Sequence, residues 1–356
     1  MAADVPSMYE TTANNPSFAP VIKDAHSVSE AGVPRVWLVG TLTVTVAAFA
    51  AAVALAPPAS APPVRGLAWL LFVGSSVHVA STGWLYTLPE VRGYARQHRA
   101  RLVVVPAVLI LATAVLAGAL SPATMAWFLL PYYAWQFFHF QKQNLGMAAL
   151  AASSRREAPL RPVERGALMT AGYAGIAVLV AHPGLLQLRL DPRLGLMYPV
   201  AATVFAGALA VGVITVARRP GGGAAFRGVY LTSLCFFGPV FAFGSPYAAV
   251  GGMTIAHGLQ YLLLVGLVAA GNGQLPGRAL RLAILCNVAL AGGAVLSAAV
   301  RLAFGAYLGA VMAHFVIDAG LWRLRDPFPR AFLASRVPGL LPARVPAPDG
   351  SPADIG

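Results

Sequence analysis

The sequence predicts an all-α fold: a polytopic bundle of about ten transmembrane helices with both termini cytoplasmic. Three observations carry this expectation. The chain is 58% hydrophobic and only 10% charged, with a mean hydropathy of +0.70, whereas a soluble domain carries about 25% charged residues. Apolar segments recur at the length a bilayer core demands, roughly 20 residues each. The basic residues also alternate between links. With the N-terminus inside, only Arg65, Arg189, Arg193 and Arg301 of the 25 Lys and Arg residues fall on the outer side, as the positive-inside rule requires.

Taken in order, residues 1–35 are polar, without helical periodicity, and read as a disordered cytoplasmic tail. They lack an apolar core of the kind a cleaved signal has, so insertion is expected to use the first span. Spans are placed near 36–56, 66–88, 102–120, 123–150, 166–182, 197–217, 228–244, 246–270, 280–300 and 302–323. The helical domain thus covers 36–326, and a Pro/Ala-rich cytoplasmic tail covers 327–356. The formal charge of +13 does not point to nucleic acid, because the arginines sit in short links and form no basic patch interleaved with aromatics. Cys235 and Cys286 each lie in an apolar run and read as small packing residues rather than a disulfide. The expected partners are lipids and a lipophilic small molecule.

Four spans carry a histidine in mid-membrane with a hydrogen-bonding residue four places later. These pairs are His78 with Thr82, His139 with Gln143, His257 with Tyr261, and His314 with Asp318. In the predicted topology all four helices run from outside to inside. The histidines then lie about 11 to 16 residues from their outer ends, a spread of no more than about 8 Å in depth. Residues four apart share a helix face, so each partner is placed to orient an imidazole or to join a ligand set. Ionisable groups at this depth are costly and mark functional sites. Imidazole is the commonest metal ligand, and imidazoles with a carboxylate suit iron, zinc or manganese. His78, His139, His257 and His314 are therefore the candidate metal ligands. Two other readings stay open at this point: haem held by two histidines on facing helices, and a proton relay in a proton-coupled transporter. A single layer argues against two stacked haems.

The fourth span, PYYAWQFFHFQKQNLG at 131–146, is the densest in polar residues. Gln136, His139 and Gln143 recur at helical spacing and define one face. Lys142 has three readings: snorkelling to the inner interface, pairing with Asp318 or Glu90, or contact with an anionic substrate group. Asp318, Gln143, Tyr261 and Lys142 are the candidate catalytic residues. The HxxxH, HxxHH and HExxH patterns of desaturases and zinc proteases are absent, as are phosphate-binding glycine loops and any soluble nucleotide-hydrolysing domain.

The runs WQFFHFQKQNLG and HFVIDAGLWRLRD resemble a set of bacterial polytopic membrane proteins. In these an aromatic-His-x-x-Lys-Gln element and a terminal His-x-x-x-Asp-x-x-x-Trp-Arg element recur. The matching positions are His139, Lys142, Gln143, His314, Asp318, Trp322 and Arg323. The overall plan is similar to bacterial retinal-forming carotene dioxygenases of the Brp/Blh type, multi-helix enzymes with iron held by intramembrane histidines. The resemblance covers two helices in detail and the rest as architecture. It implies a bacterial inner-membrane location and an oxygenase-type, iron-dependent chemistry; it names no substrate.

Overall fold

The computed structural model describes residues 32–57, 77–271, 281–286, 288–289 and 301–341. Helices α1 (Gly32–Ala54), α2 (77–85), α3 (Pro89–Gln97), α4 (Val105–Ala119), α5 (Pro122–Ser154) and α6 (Pro162–Ala181) form the first half. Helices α7 (Met197–Ala217), α8 (Ala224–Leu234), α9 (Pro239–Ala242), α10 (Gly252–Ala270), α11 (281–286), α12 (Arg301–Leu321) and α13 (Pro327–Arg336) follow. Two π-helical turns, Ala100–Val104 and Tyr247–Gly251, lead into α4 and α10. Among the described residues there is no strand, only an isolated bridge between Pro338 and Leu341.

Among the described residues, six helical segments are long and apolar enough to cross a membrane: Gly32–Ala54, Ala100–Ala119, Pro162–Ala181, Met197–Ala217, Tyr247–Ala270 and Arg301–Leu321. They coincide with six of the ten expected spans, and the chain is a multi-pass membrane protein. The expected fourth span is α5, a continuous helix of 33 residues. The seventh does not form one rod. Its helix stops at Leu234, turns through 235–238, and restarts at Pro239, where the missing proline N–H favours a helix start. Residues 66–76 of the second span and 280, 287 and 290–300 of the ninth lie outside the described residues, as do the tails 1–31 and 342–356.

Local chemistry sets several boundaries. Ser121 caps α5, its Oγ accepting from the Thr124 N–H at 3.1 Å, with Pro122 in the first helical position. Glu164, three residues past Arg161, accepts the Arg161 backbone N–H at 2.7 Å at the start of α6. Residues 327–336, which composition alone places in a tail, form a helix packed on α10. Phe332, Leu333 and Arg336 are buried there, Arg336 is ion-paired to Glu90, and Phe328 stacks on Tyr94 at 4.2 Å. The core clusters where α5, α6, α8 and α10 meet. Outward, α1, α4 and α7 expose Val46, Leu111, Val115, Val200 and Ile214. A contiguous apolar belt of this kind requires lipid rather than water as its solvent.

The tightest helix pair is α4 with α12. A Cβ at Gly305 would fall 2.3 Å from the Thr113 carbonyl oxygen, and one at Gly309 would fall 2.5 Å from the Ile110 Cα. Glycines four apart let two backbones touch, which is how helices associate without a hydrophobic drive between them. Gly309→Ala is therefore expected to destabilise the detergent-solubilised protein by about 1–3 kcal/mol through overpacking. Gly146→Ala, where nothing lies within 4 Å of the added carbon, should leave the thermal midpoint unchanged or raise it. Thermal unfolding of the two variants side by side checks this.

Candidate metal centre

Helices α2, α5, α10 and α12 each deliver one histidine to the same point. His78 Nε2 lies 2.8 Å from His314 Nε2 and 3.2 Å from His257 Nε2. His139 closes the fourth side, its ring centroid 5.1 Å from that of His257 and 4.9 Å from that of His314. One ring nitrogen from each of the four lies within 4.8 Å of the others. The group can hold a metal ion. Aromatic rings wall it off: Phe140 stacks on His257 at 3.9 Å and Phe315 stacks on His139 at 4.5 Å.

The spacing fits ligation. Metal–imidazole bonds of about 2.0–2.1 Å put neighbouring ligand nitrogens roughly 2.9 Å apart at right angles and roughly 3.4 Å apart at the tetrahedral angle. The 2.8 and 3.2 Å separations are close to this range. Two neutral imidazoles facing each other can share one proton, and a third nitrogen at the same point gains nothing from it. His139 Nε2 is buried with no hydrogen-bond partner among the described residues, a costly state that ligation relieves.

Most of the polar contacts run across helices, and Asp318 alone also lies beside the histidine of its own helix. Thr82 Oγ1 lies 2.7 Å from His314 Nδ1, 2.6 Å from the Tyr261 hydroxyl and 3.2 Å from Asp318 Oδ1. Tyr261 donates to Asp318 Oδ1 at 2.9 Å and receives the Trp322 indole N–H at 3.3 Å. Thr82 has one proton to give. When it goes to Asp318, the Thr82 oxygen is left to accept from His314 Nδ1–H. That tautomer leaves the Nε2 lone pair of His314 facing His78, as a ligand requires. Asp318 Oδ1 is also 3.5 Å from His314 Nδ1.

Gln143 sets hydrogen bonds on a neighbouring helix. It donates to the His257 carbonyl at 3.1 Å and to Gln260 Oε1 at 3.0 Å, so it ties α5 to α10 rather than orienting its own histidine. Gln260 passes the link to Thr45 on α1 at 2.8 Å. Lys142 is exposed and takes no part in the cluster. Neither expected carboxylate partner is beside it: Asp318 is held by Tyr261 and Thr82, and Glu90 by Arg336. Asp318 thus has no Lys or Arg within ion-pair distance among the described residues, and the imidazole cluster is where a compensating cation belongs.

Sequence reasoning missed a second buried polar group. Glu164, 0% exposed, pairs with Arg161 at 2.8 Å and with Arg219 at 2.6 Å. Arg219 also lies 4.7 Å over the Phe226 ring. The signal was present as Arg-Pro-x-Glu at 161–164, a helix-start pattern. Gln141 was missed as well. It is fully buried, donates to the Leu168 carbonyl at 2.5 Å, and fits only because Gly172 carries no side chain.

Thr82→Val keeps the side-chain shape and removes the oxygen that fixes His314. Loss of such a supporting hydrogen bond is expected to weaken metal affinity about 10–100-fold, read by competition with a chromogenic chelator on the purified full chain. An affinity equal to wild type would show that Thr82 does not hold the imidazole.

No protein-family model, curated protein or solved structure matches this chain, so the reading of the site rests on its own geometry.

Proposed function

We propose that the protein is a membrane-embedded, metal-dependent oxidoreductase of the non-haem iron class, acting on a lipophilic molecule that arrives through the bilayer. The observation that carries this reading is the convergence of four imidazoles, three of them buried and 2.8 and 3.2 Å apart at their closest, beside a carboxylate that lacks a Lys or Arg partner. Iron bound there would supply dioxygen activation, with coordination positions beyond the four imidazoles open to dioxygen or substrate. The positive-inside bias argues for both ends in the cytoplasm, and the resemblance to bacterial polytopic membrane proteins for an inner-membrane location.

The chain's own residues have definable parts. His78, His139, His257 and His314 are the ligands. Thr82 sets the tautomer of His314. Asp318 and Tyr261 share a hydrogen bond of 2.9 Å, so a proton can be held on the phenol or passed to the carboxylate next to the reacting centre. Phe140 and Phe315 keep water out and leave an apolar surface for a lipophilic substrate. Lys142, turned away from this group, is a surface cation rather than a catalytic residue.

The same distances disfavour haem. Two axial imidazoles on one iron face each other across roughly 4 Å, twice a metal–imidazole bond of about 2.0 Å, with a porphyrin plane between them. The His78 contacts leave no such gap. A transporter built on the same layer would be expected to break its helices at the site, whereas α5, α10 and α12 run without interruption through their histidines.

Metal analysis and an optical spectrum on detergent-purified protein, beside His314→Ala, test the proposal. The expected result is about one iron per chain, no Soret band, and loss of the iron in the variant. Stoichiometric zinc in place of iron would end the oxygenase reading while keeping the metal site. Absence of metal from wild type, with His314→Ala still folded, would overturn both.

A further inference from the structure

A second feature lies outside the histidine cluster. The turn after α2, the helix α3 and the π-helical turn Ala100–Val104 enclose a groove of about 610 Å³ lined by Tyr86, Arg92, Ala95, Arg96, Arg99 and Val103. Arg92 and Arg96 lie one turn apart on α3, and Arg99 follows the break at His98 that ends α3, immediately before the π-helical turn. Elsewhere in the described residues Arg161, Arg219, Arg323 and Arg336 pair with carboxylates, whereas surface arginines such as Arg155 and Arg156 do not, so it is the groove that sets Arg92, Arg96 and Arg99 apart. No carboxylate lies within ion-pair distance of Arg92, Arg96 or Arg99 among the described residues. The guanidiniums are nevertheless partly fixed: Arg92 donates to the Thr87 carbonyl at 2.9 Å, and Arg99 Nε donates to the Arg96 carbonyl at 3.2 Å. The Tyr86 hydroxyl donates to the Leu102 carbonyl at 2.7 Å and ties the turn after α2 to the π-helical turn.

From Arg99 through the π-helical turn into α4 the surface changes character within one turn. Exposed arginines give way to exposed Val103, Val104, Val105 and Val108. A solvated basic cluster at an inner interface is ordinary. Here the arginines border a concave volume, their charges lack internal partners, and an apolar lane begins at its rim. Guanidiniums bind phosphate through paired N–H groups, and π-helical turns recur at functional positions.

We propose that this groove is a binding site for a phosphate group, Arg92, Arg96 and Arg99 holding the anion. When a lipid carries that phosphate, its acyl chain lies along Val103, Ala107 and Leu111, which are exposed and recur at steps of four from the groove rim. The site is separate from the histidine cluster and stands whether or not that cluster binds metal.

The test uses the full chain in nanodiscs of equal phosphatidylglycerol and phosphatidylcholine, with retained lipid counted by native mass spectrometry. The triple variant Arg92→Gln/Arg96→Gln/Arg99→Gln is compared with Arg155→Gln/Arg156→Gln, which removes two exposed arginines from another link. Thermal unfolding shows that both variants are folded. The expected result is a phosphatidylglycerol preference in wild type that falls on the order of tenfold in the triple variant and persists in the other. Displacement of the retained lipid by millimolar inorganic phosphate would identify a free phosphate as the preferred source; resistance to it would identify the lipid headgroup. Equal retention of both lipids by wild type, or an equal loss of preference in the two variants, would overturn the proposal.

Discussion

Everything at the centre of this bundle follows from the cost of placing polar groups where no water can reach them. An unpaired buried polar group costs free energy of the order of a lost hydrogen bond, and an unpaired charge costs far more. The chain nevertheless buries three of its four clustered histidines, His78, His257 and His314, together with Thr82 and Asp318. Each must find its partner inside the protein, so α2, α5, α10 and α12 are locked in one rotational setting. Tyr261 and Thr82 reach Asp318 on α12, Gln143 reaches α10, and Gln260 reaches α1. The site thereby fixes the helices as much as the helices fix the site.

Close packing of small residues supplies what hydrogen bonds do not. In lipid an apolar side chain gains little by leaving its surroundings, so helix association rests on dispersion and backbone approach. Gly305 and Gly309 hold α12 against α4, and Gly172 makes room for Gln141. Aromatic rings then fill the volume round the imidazoles, with Phe140 and Phe315 in stacked contact.

Depth was legible in the sequence and rotation was not. Counting residues from span ends brings the four histidines to one level, because helical rise is constant. Which way each side chain faces depends on packing that no single helix encodes. That is why Thr82, four residues after His78, serves His314 instead, and why Gln143 binds the backbone of α10. Lys142 shows the same limit. Its sequence position next to His139 suggested chemistry, but one step round the helix puts it on the outer surface. The break at 235–238 was masked by a run of uniform hydropathy, since hydropathy reports solvent preference and not backbone continuity. Glu164 lies two residues before the expected fifth span and drew no reading, because its buried partner Arg219 comes from a link 55 residues on.

Comparing the two buried polar groups shows why only one of them calls for an external ion. Glu164 has both oxygens engaged by guanidiniums: Oε1 by Arg161 and Oε2 by Arg219, with the Arg161 backbone N–H added. The charges are compensated within the protein, and the remaining guanidinium donors go to the Thr215 and Pro159 carbonyls. Such a group is self-sufficient, and its work is to hold α6 to the link after α7. Around Asp318 the donors are a phenol and a hydroxyl, both neutral, and beyond them stand four imidazoles aimed at a common point. As a carboxylate it brings negative charge, and the cluster brings lone pairs. A cation completes both at once: it takes the imidazole nitrogens as ligands and offsets the buried carboxylate through the His314 ring. The ion-pair group is complete without a ligand, whereas the histidine group presents four ligand nitrogens that can hold one.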